Sequence, residues 1–252
     1  MGTTGGGRGT NQYQVQGVSQ ASRQDAKVLD GLSATAEPVA AATATEYDFG
    51  AGLVPAHRHR NRDGLAGGWV ADAAHVDPTA IIESGAVVEP GASVGHDAHV
   101  RRGGRIKEGA WVAARASVGD DAVVGAGSWV EPDSSLGTAV RMGARARVGD
   151  GARVGDGAVI GDDATVEYKA VVGLCATVGG DATVGHEATV GDDAIVGAHA
   201  VVNRGAFVGH YARVEEDAQV GRHARVGDHA IVQSRARLKP GEKVADGAIF
   251  RR

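Results

Sequence analysis

The chain has a single cysteine, Cys175, among 252 residues, so no intrachain disulfide can hold it together. Aromatic residues make up only 4%, which is poor material for an ordinary globular core. No apolar run approaches the length of a membrane helix, and the first residues have no apolar signal core. A protein made and kept in the cytoplasm is therefore expected, unless it is carried out as part of a particle, and no membrane partner is expected. A net charge of −5 leaves no basic footprint, so nucleic acid is not an expected partner either.

What the chain does have is a beat of six. From Val70 to Phe250 every sixth residue is apolar, without an insertion, which makes about 31 rungs. Two residues before each rung stands a small residue, nearly always alanine, as at Ala74, Ala80, Ala86 and Ala92; Val140 and Glu242 break the rule. Glycine dominates the place just after the rung, as at Gly95, Gly119 and Gly149. A period of six fits neither a helix nor a simple two-sided strand. It fits a short strand followed by a corner. The branched rung and the alanine two places earlier then point inward together, because side chains alternate along a strand. The Gly, Asp, Asn and Pro residues after the rung are expected to supply the turns. Three such segments close a triangular coil, giving about ten coils and a prism roughly 48 Å long. Cys175, three places after Val172, is expected to be an exposed corner thiol.

Units such as ATVGDD, AVIGDD, ARVGDG and ASVGDD resemble the hexapeptide repeat of left-handed β-helix proteins, over roughly residues 68 to 250. The resemblance implies an all-β fold, a left-handed parallel β-helix; the hand comes from the family, since the period alone does not set it. The same coil serves acyltransferases, nucleotidyltransferase tails, γ-class carbonic anhydrases and structural or phage-borne proteins. The segment YDFGAGLVPAHRHRNRDGLAGGWV is similar to one that precedes such repeats in uncharacterised bacterial and phage proteins.

Three regions follow. Residues 1–45, rich in Gly, Gln, Ser, Thr and Ala, read as a flexible low-complexity arm, in which SRQDAKVLDGL could form a short helix on a partner. Residues 46–68 read as a cap, with Tyr47, Phe49, Leu53, Val54 and Leu65 covering the open end of the first coil beside Trp69. Residues 69–252 are the β-helix. Within the cap, the run His57-Arg58-His59-Arg60-Asn61-Arg62 reads as a solvated loop or as a site for phosphate or an acidic partner.

Chemistry is harder to find. In the γ-class carbonic anhydrases two histidine ligands lie five apart with a third on an earlier coil, and no two of the ten histidines here are five apart. No metal and no cofactor is expected. A hexapeptide acyltransferase would need a histidine general base near the acceptor of its acyl-CoA. His75 and His99 precede rungs and point outward from strand faces, so they are the two candidates. The unbroken register leaves no room for a loop of the kind that commonly shapes such a site. The corner aspartates Asp120, Asp156, Asp192 and Asp228 recur every 36 residues, two coils apart, too far to share one calcium ion.

The outward residues sort into three faces. One reads Trp69, Val87, Arg105, Val123, Arg141, Val159, Thr177, Ile195, Arg213, Ile231, Ile249, with an apolar rib every 36 residues from Val87 to Ile231. The bland account is strand propensity. The sharper one is a subunit interface, formed by Val87, Val123, Val159, Ile195 and Ile231 with Arg105, Arg141 and Arg213 between them. Left-handed β-helix proteins are very often trimers, so the resemblance implies a homotrimer. The resulting expectation is a non-enzymatic assembly protein: a rigid trimeric prism whose arm, residues 1–45, docks on a larger assembly such as a phage particle. The alternative is a hexapeptide acyltransferase with an acyl-CoA donor and His75 or His99 as base.

Overall fold

The computed structural model describes residues 45–251. The expected arm, apart from Thr45, lies outside the described residues. Two-residue strands recur every six residues from His75–Val76 to Ile231–Val232, each pairing one outward residue with one inward rung. Each strand bonds in parallel to the strand eighteen residues on, so that Trp111 faces Trp129 and Val112 faces Val130. Three sheets result, and together they form a parallel β-helix. Sheet A has thirteen strands and ends at Ile249–Phe250; sheet B has nine, beginning at His75–Val76; sheet C has ten, from Ile81–Ile82 to Lys243–Val244.

The interior is one continuous stack of the rungs and the small residues before them, as the six-residue pattern requires. Ala164, Val166, Ala182 and Val184 are fully buried, as are most such residues between Ala80 and Val232, whereas Ala74, Val76, Ala248 and Phe250 at the ends are only partly buried. Where the small residue is serine, its hydroxyl is satisfied internally: Ser128 Oγ donates to the Gly143 carbonyl at 2.6 Å, and Ser134 Oγ to that of Glu131.

The corners differ from the expectation in their details. From Ile82 to Val244 the left-handed backbone conformation falls on the third residue after each rung, and eighteen of the residues that hold it are not glycine, among them Asp97, Lys169, Cys175 and Tyr211. Each such residue gives up roughly 1–2 kcal/mol against a right-handed conformation. The glycine just after the rung has a different task. A Cβ on Gly125 would lie 2.1 Å from the Gly143 carbonyl oxygen, and one on Gly119 would lie 2.4 Å from that of Gly137. These glycines let successive coils approach and do not supply the turn. The corner aspartates also tie coils together: Oδ1 of Asp156, Asp192 and Asp228 accepts from the backbone N–H of Thr138, Leu174 and His210 at 2.8–2.9 Å.

The cap extends sheet A by two antiparallel hairpin connections. Strand β1 (Thr45–Asp48) pairs with β2 (Leu53–Arg60), and β2 pairs with β3 (Ala66–Ala71), the first strand of the helix proper. Phe49 and Ala56 pack with Ala71 and Val87 on the outer side of this sheet, flanked by Tyr47, Val54 and Trp69. Leu53 and Leu65, expected to cover the first coil, are 65% and 52% exposed. The first strand of sheet C is covered instead by polar side chains. Asn61 Nδ2 donates to the Ile82 carbonyl and its Oδ1 accepts from the Ile82 N–H, both at 3.0 Å, as a neighbouring strand's peptide would. His59 Nε2 donates to the Ala80 carbonyl at 3.1 Å, and burial pushes the His59 imidazole below its ordinary pKa, which keeps it neutral. Three more members of the basic run are engaged too. His57 Nδ1 meets Asp72 at 2.7 Å, Arg58 lies over the Trp69 ring, and Arg62 meets Asp97 at 3.1 Å. The run is therefore largely structural in character, and its residues 57–60 form the end of β2 where a solvated loop is expected.

Two substitutions test this account. Val154→Asp places an unpaired carboxylate in the stack and should cost several kcal/mol, seen as a sharp fall in the melting temperature; an unchanged melting curve would mean that the rung does not point inward. Asn61→Asp removes the donor to the Ile82 carbonyl and sets a carboxylate beside it. Amide exchange at Ile82 should then quicken while that at Val166, more than four coils further along, stays slow; equal protection in both proteins would exclude the amide as a cap.

Candidate functional site

The outward rows are set by the register of the ladders. In sheet A, Val87, Arg105, Val123, Arg141, Val159, Thr177, Ile195, Arg213, Ile231 and Ile249 are successive neighbours. Val87 is only 6% exposed, because its own cap covers it. The open part of the row therefore starts at Arg105. A cavity of about 710 Å³ lies on this row, lined by Arg105, Lys107, Arg141, Val123, Val159 and Asp162 among others. Arg105 Nη1 reaches Glu89 at 3.7 Å, whereas Arg141 and Arg213 have no ion-pair partner among the described residues.

The two candidate histidines stand in different surroundings. His75 begins the sheet B row, is exposed, and its ring makes no hydrogen bond among the described residues. His99 is the second residue of the sheet C row, between Ile81 and Ser117. Its Nε2 lies 2.7 Å from Glu83 Oε1, and the two side chains are 32% and 35% exposed. A carboxylate only accepts, so Nε2 carries the hydrogen and Nδ1 of the neutral ring presents a lone pair. Nδ1 has no partner among the described residues. This is the arrangement of a base held in one tautomer and orientation by an acid beside it.

Glu83 went unnoticed in the sequence, although a signal exists. An outward residue meets the first corner residue of the preceding coil, sixteen positions earlier. His99 pairs with Glu83 in this way, Arg105 with Glu89, and Arg147 with Glu131. The remaining ladder histidines occupy corners, where several bind neighbouring coils: His210 Nδ1 accepts from the Asp192 N–H at 3.0 Å. Among the described residues, no three or more His, Cys, Asp or Glu side chains gather as a metal ion requires. No helix among them is long and apolar enough to cross a membrane.

No family model matches the chain, and no curated protein matches it in sequence. Solved structures do match in shape. The UDP-N-acetylglucosamine acyltransferase from Campylobacter jejuni aligns with a TM-score of 0.50 at 17% identity, over 69% of this chain and 68% of its own. The Arabidopsis UDP-N-acetylglucosamine acyltransferase aligns with a TM-score of 0.52 at 16% identity, again over 69% and 68%. The chain thus spans about two thirds of the length of these proteins. The fold is the left-handed parallel β-helix that they share.

Proposed function

We propose that the chain transfers an acyl group from an acyl-CoA thioester to a hydroxyl or amine, with His99 as general base and Glu83 as its orienting acid. The single observation that carries this reading is the 2.7 Å contact between His99 and Glu83, with the second ring nitrogen left open on a strand face. The matched structures are acyltransferases, which favours acyl transfer over the assembly role to which the sequence leans. Nothing in the comparisons points to a phage particle or to a larger assembly.

In this reading His99 Nδ1 takes the proton of the acceptor O–H or N–H as that atom attacks the thioester carbonyl. The tetrahedral intermediate collapses and breaks the carbon–sulfur bond, and the departing thiolate recovers the proton from the imidazolium. Glu83 stabilises that imidazolium. Ser117, beside His99 in the same row, offers a hydroxyl to the oxyanion. A homotrimer belongs to the same proposal, built on the open part of the sheet A row, where Val123, Val159, Ile195 and Ile231 would be buried and arginine stems would lie on apolar surface. Each buried Val or Ile would contribute about 1–2 kcal/mol by area.

One observation favours the second reading, a rigid prism without catalysis: no loop interrupts the six-residue spacing of strands from His75–Val76 to Ile231–Val232. Thiol release from acetyl-CoA, with sugar nucleotides and amino sugars as acceptors, separates the two. His99→Ala should lower the rate about 10²- to 10⁴-fold and Glu83→Gln less, with melting unchanged; release undiminished in His99→Ala, or none with any acceptor, leaves the prism reading. For assembly, the double variant Val123→Glu/Val159→Glu should sediment as a folded monomer. A trimer that persists in it would place the interface on another face.

A further inference from the structure

Sheet B carries a feature that acyl transfer at His99 does not use. Trp111 and Trp129 are neighbours in its outward row, 38% and 50% exposed, with ring centroids 5.0 Å apart at 80°. Large aromatic side chains on an open strand lose the benefit of burial, and an edge-to-face pair of tryptophans is costly to leave in water. Beside Trp129 lies a cavity of about 440 Å³, also lined by Arg145, Arg147 and Thr165. Arg147 and Thr165 are shared with a second cavity, which Glu131, Glu167, Tyr168 and His186 complete. Glu167 and His186 are shared in turn with a third, of about 440 Å³, which reaches Asn203, Arg204 and Arg222. The three form one trough running obliquely across sheet B. Between the coils of Trp129 and Arg222 there are five coil spacings, roughly 24 Å.

Most of the charged groups of the trough are already paired; Arg222, at its far end, has no ion-pair partner among the described residues. Arg145 donates from Nε and Nη2 to both oxygens of Asp163, at 2.8 and 2.6 Å, and holds that carboxyl below its ordinary pKa. Arg147 is held by Glu131 through Nε at 2.6 Å. His186 Nε2 lies 3.3 Å from Glu167, and Arg204 lies 3.4 Å from Glu187. Guanidinium groups fixed in this way keep Nη1 for a ligand yet bring little net positive charge. Such a surface is a weak match for a polyanion. It offers planar donors, carboxylate acceptors and aromatic faces in alternation, repeated at the coil spacing.

From this we infer that the trough binds a linear, uncharged oligosaccharide, with the C–H face of one sugar ring stacked on Trp129 and the hydroxyls of following units taken by the ion-paired arginines and carboxylates. The site is on a different face from His99 and does not depend on the acyl-transfer reading. Elongation is part of the argument: a single sugar would use one cavity, whereas the trough offers three in series.

The test is tryptophan fluorescence titration of the full chain, in a Trp69→Phe background, with cellohexaose, chitohexaose, maltohexaose and mannohexaose, and with the matching monosaccharides. At least one hexasaccharide should saturate the signal and bind more tightly than its monosaccharide. Trp129→Ala, checked by calorimetric titration, should weaken it at least about tenfold with the circular dichroism spectrum unchanged. Arg147→Ala should also weaken it, and raising salt from about 0.05 to about 0.5 M should change the affinity little. The inference fails if no hexasaccharide of the four saturates, if Trp129→Ala binds as the parent does, or if the higher salt abolishes binding. It fails equally if Trp129→Ala splits an oligomer in the ultracentrifuge, since a second copy of the chain would then cover the face.

Discussion

The backbone ladder between coils is the constraint on which everything else in this molecule depends. The N–H of each outward residue bonds the carbonyl of a residue seventeen positions on, as Val123 does with Val140 and Trp129 with Ala146, at 2.8–2.9 Å. Because the bonds run in parallel and every coil has the same length, residues of one type stack on themselves. The interior becomes a column of valine above valine and alanine above alanine. A slip of one residue would turn the whole column outward, so the buried ladder and the register enforce each other. The glycines after the rungs belong to the same constraint: they sit where a neighbouring coil's backbone leaves no space for a Cβ.

Much of this was legible in the sequence, because a fold of constant period writes itself along one dimension. The inward rungs, the small residues before them, the three faces and the partners in each row follow from counting in sixes and eighteens. The features that escaped depend on the third dimension. Gly125 and Lys169 both occupy corners, but which of them bears the left-handed conformation depends on how the corner bends, and composition suggested the wrong one. The cap was read at residues 46–68, but the groups that cover the first strand of sheet C escaped, because they are the amide of Asn61 and the ring of His59, used in place of backbone, while the eye is drawn to Leu53 and Leu65. Glu83 escaped because its distance from His99 is neither six nor eighteen.

A prism without inserted loops has only its faces and corners on which to place chemistry. Each face is a flat two-residue strip, and depth comes from long side chains standing on neighbouring coils. This explains why the cavities lie beside arginines and tryptophans, which rise above rows of threonine, serine and glycine. It also means that a site can be lengthened along the prism by repetition without disturbing what holds the coils together. The His99–Glu83 pair and the trough on sheet B lie on separate strips for this reason, and neither shares a side chain with the other.

The backward pairing of strand residues with the preceding corner has a consequence for how the chain is made. His99 looks to Glu83, Arg105 to Glu89 and Arg147 to Glu131, always toward the end that is synthesised first. A coil leaving the ribosome therefore finds its counter-charge already anchored, together with the open backbone edge on which it must lie. The corner arginines Arg115 and Arg145 run the other way, each meeting an aspartate eighteen residues on, so it is the strand residues that find a partner waiting. The protein is in this sense directional, a template that extends by copying its own last turn, with the antiparallel cap as the first surface to be copied.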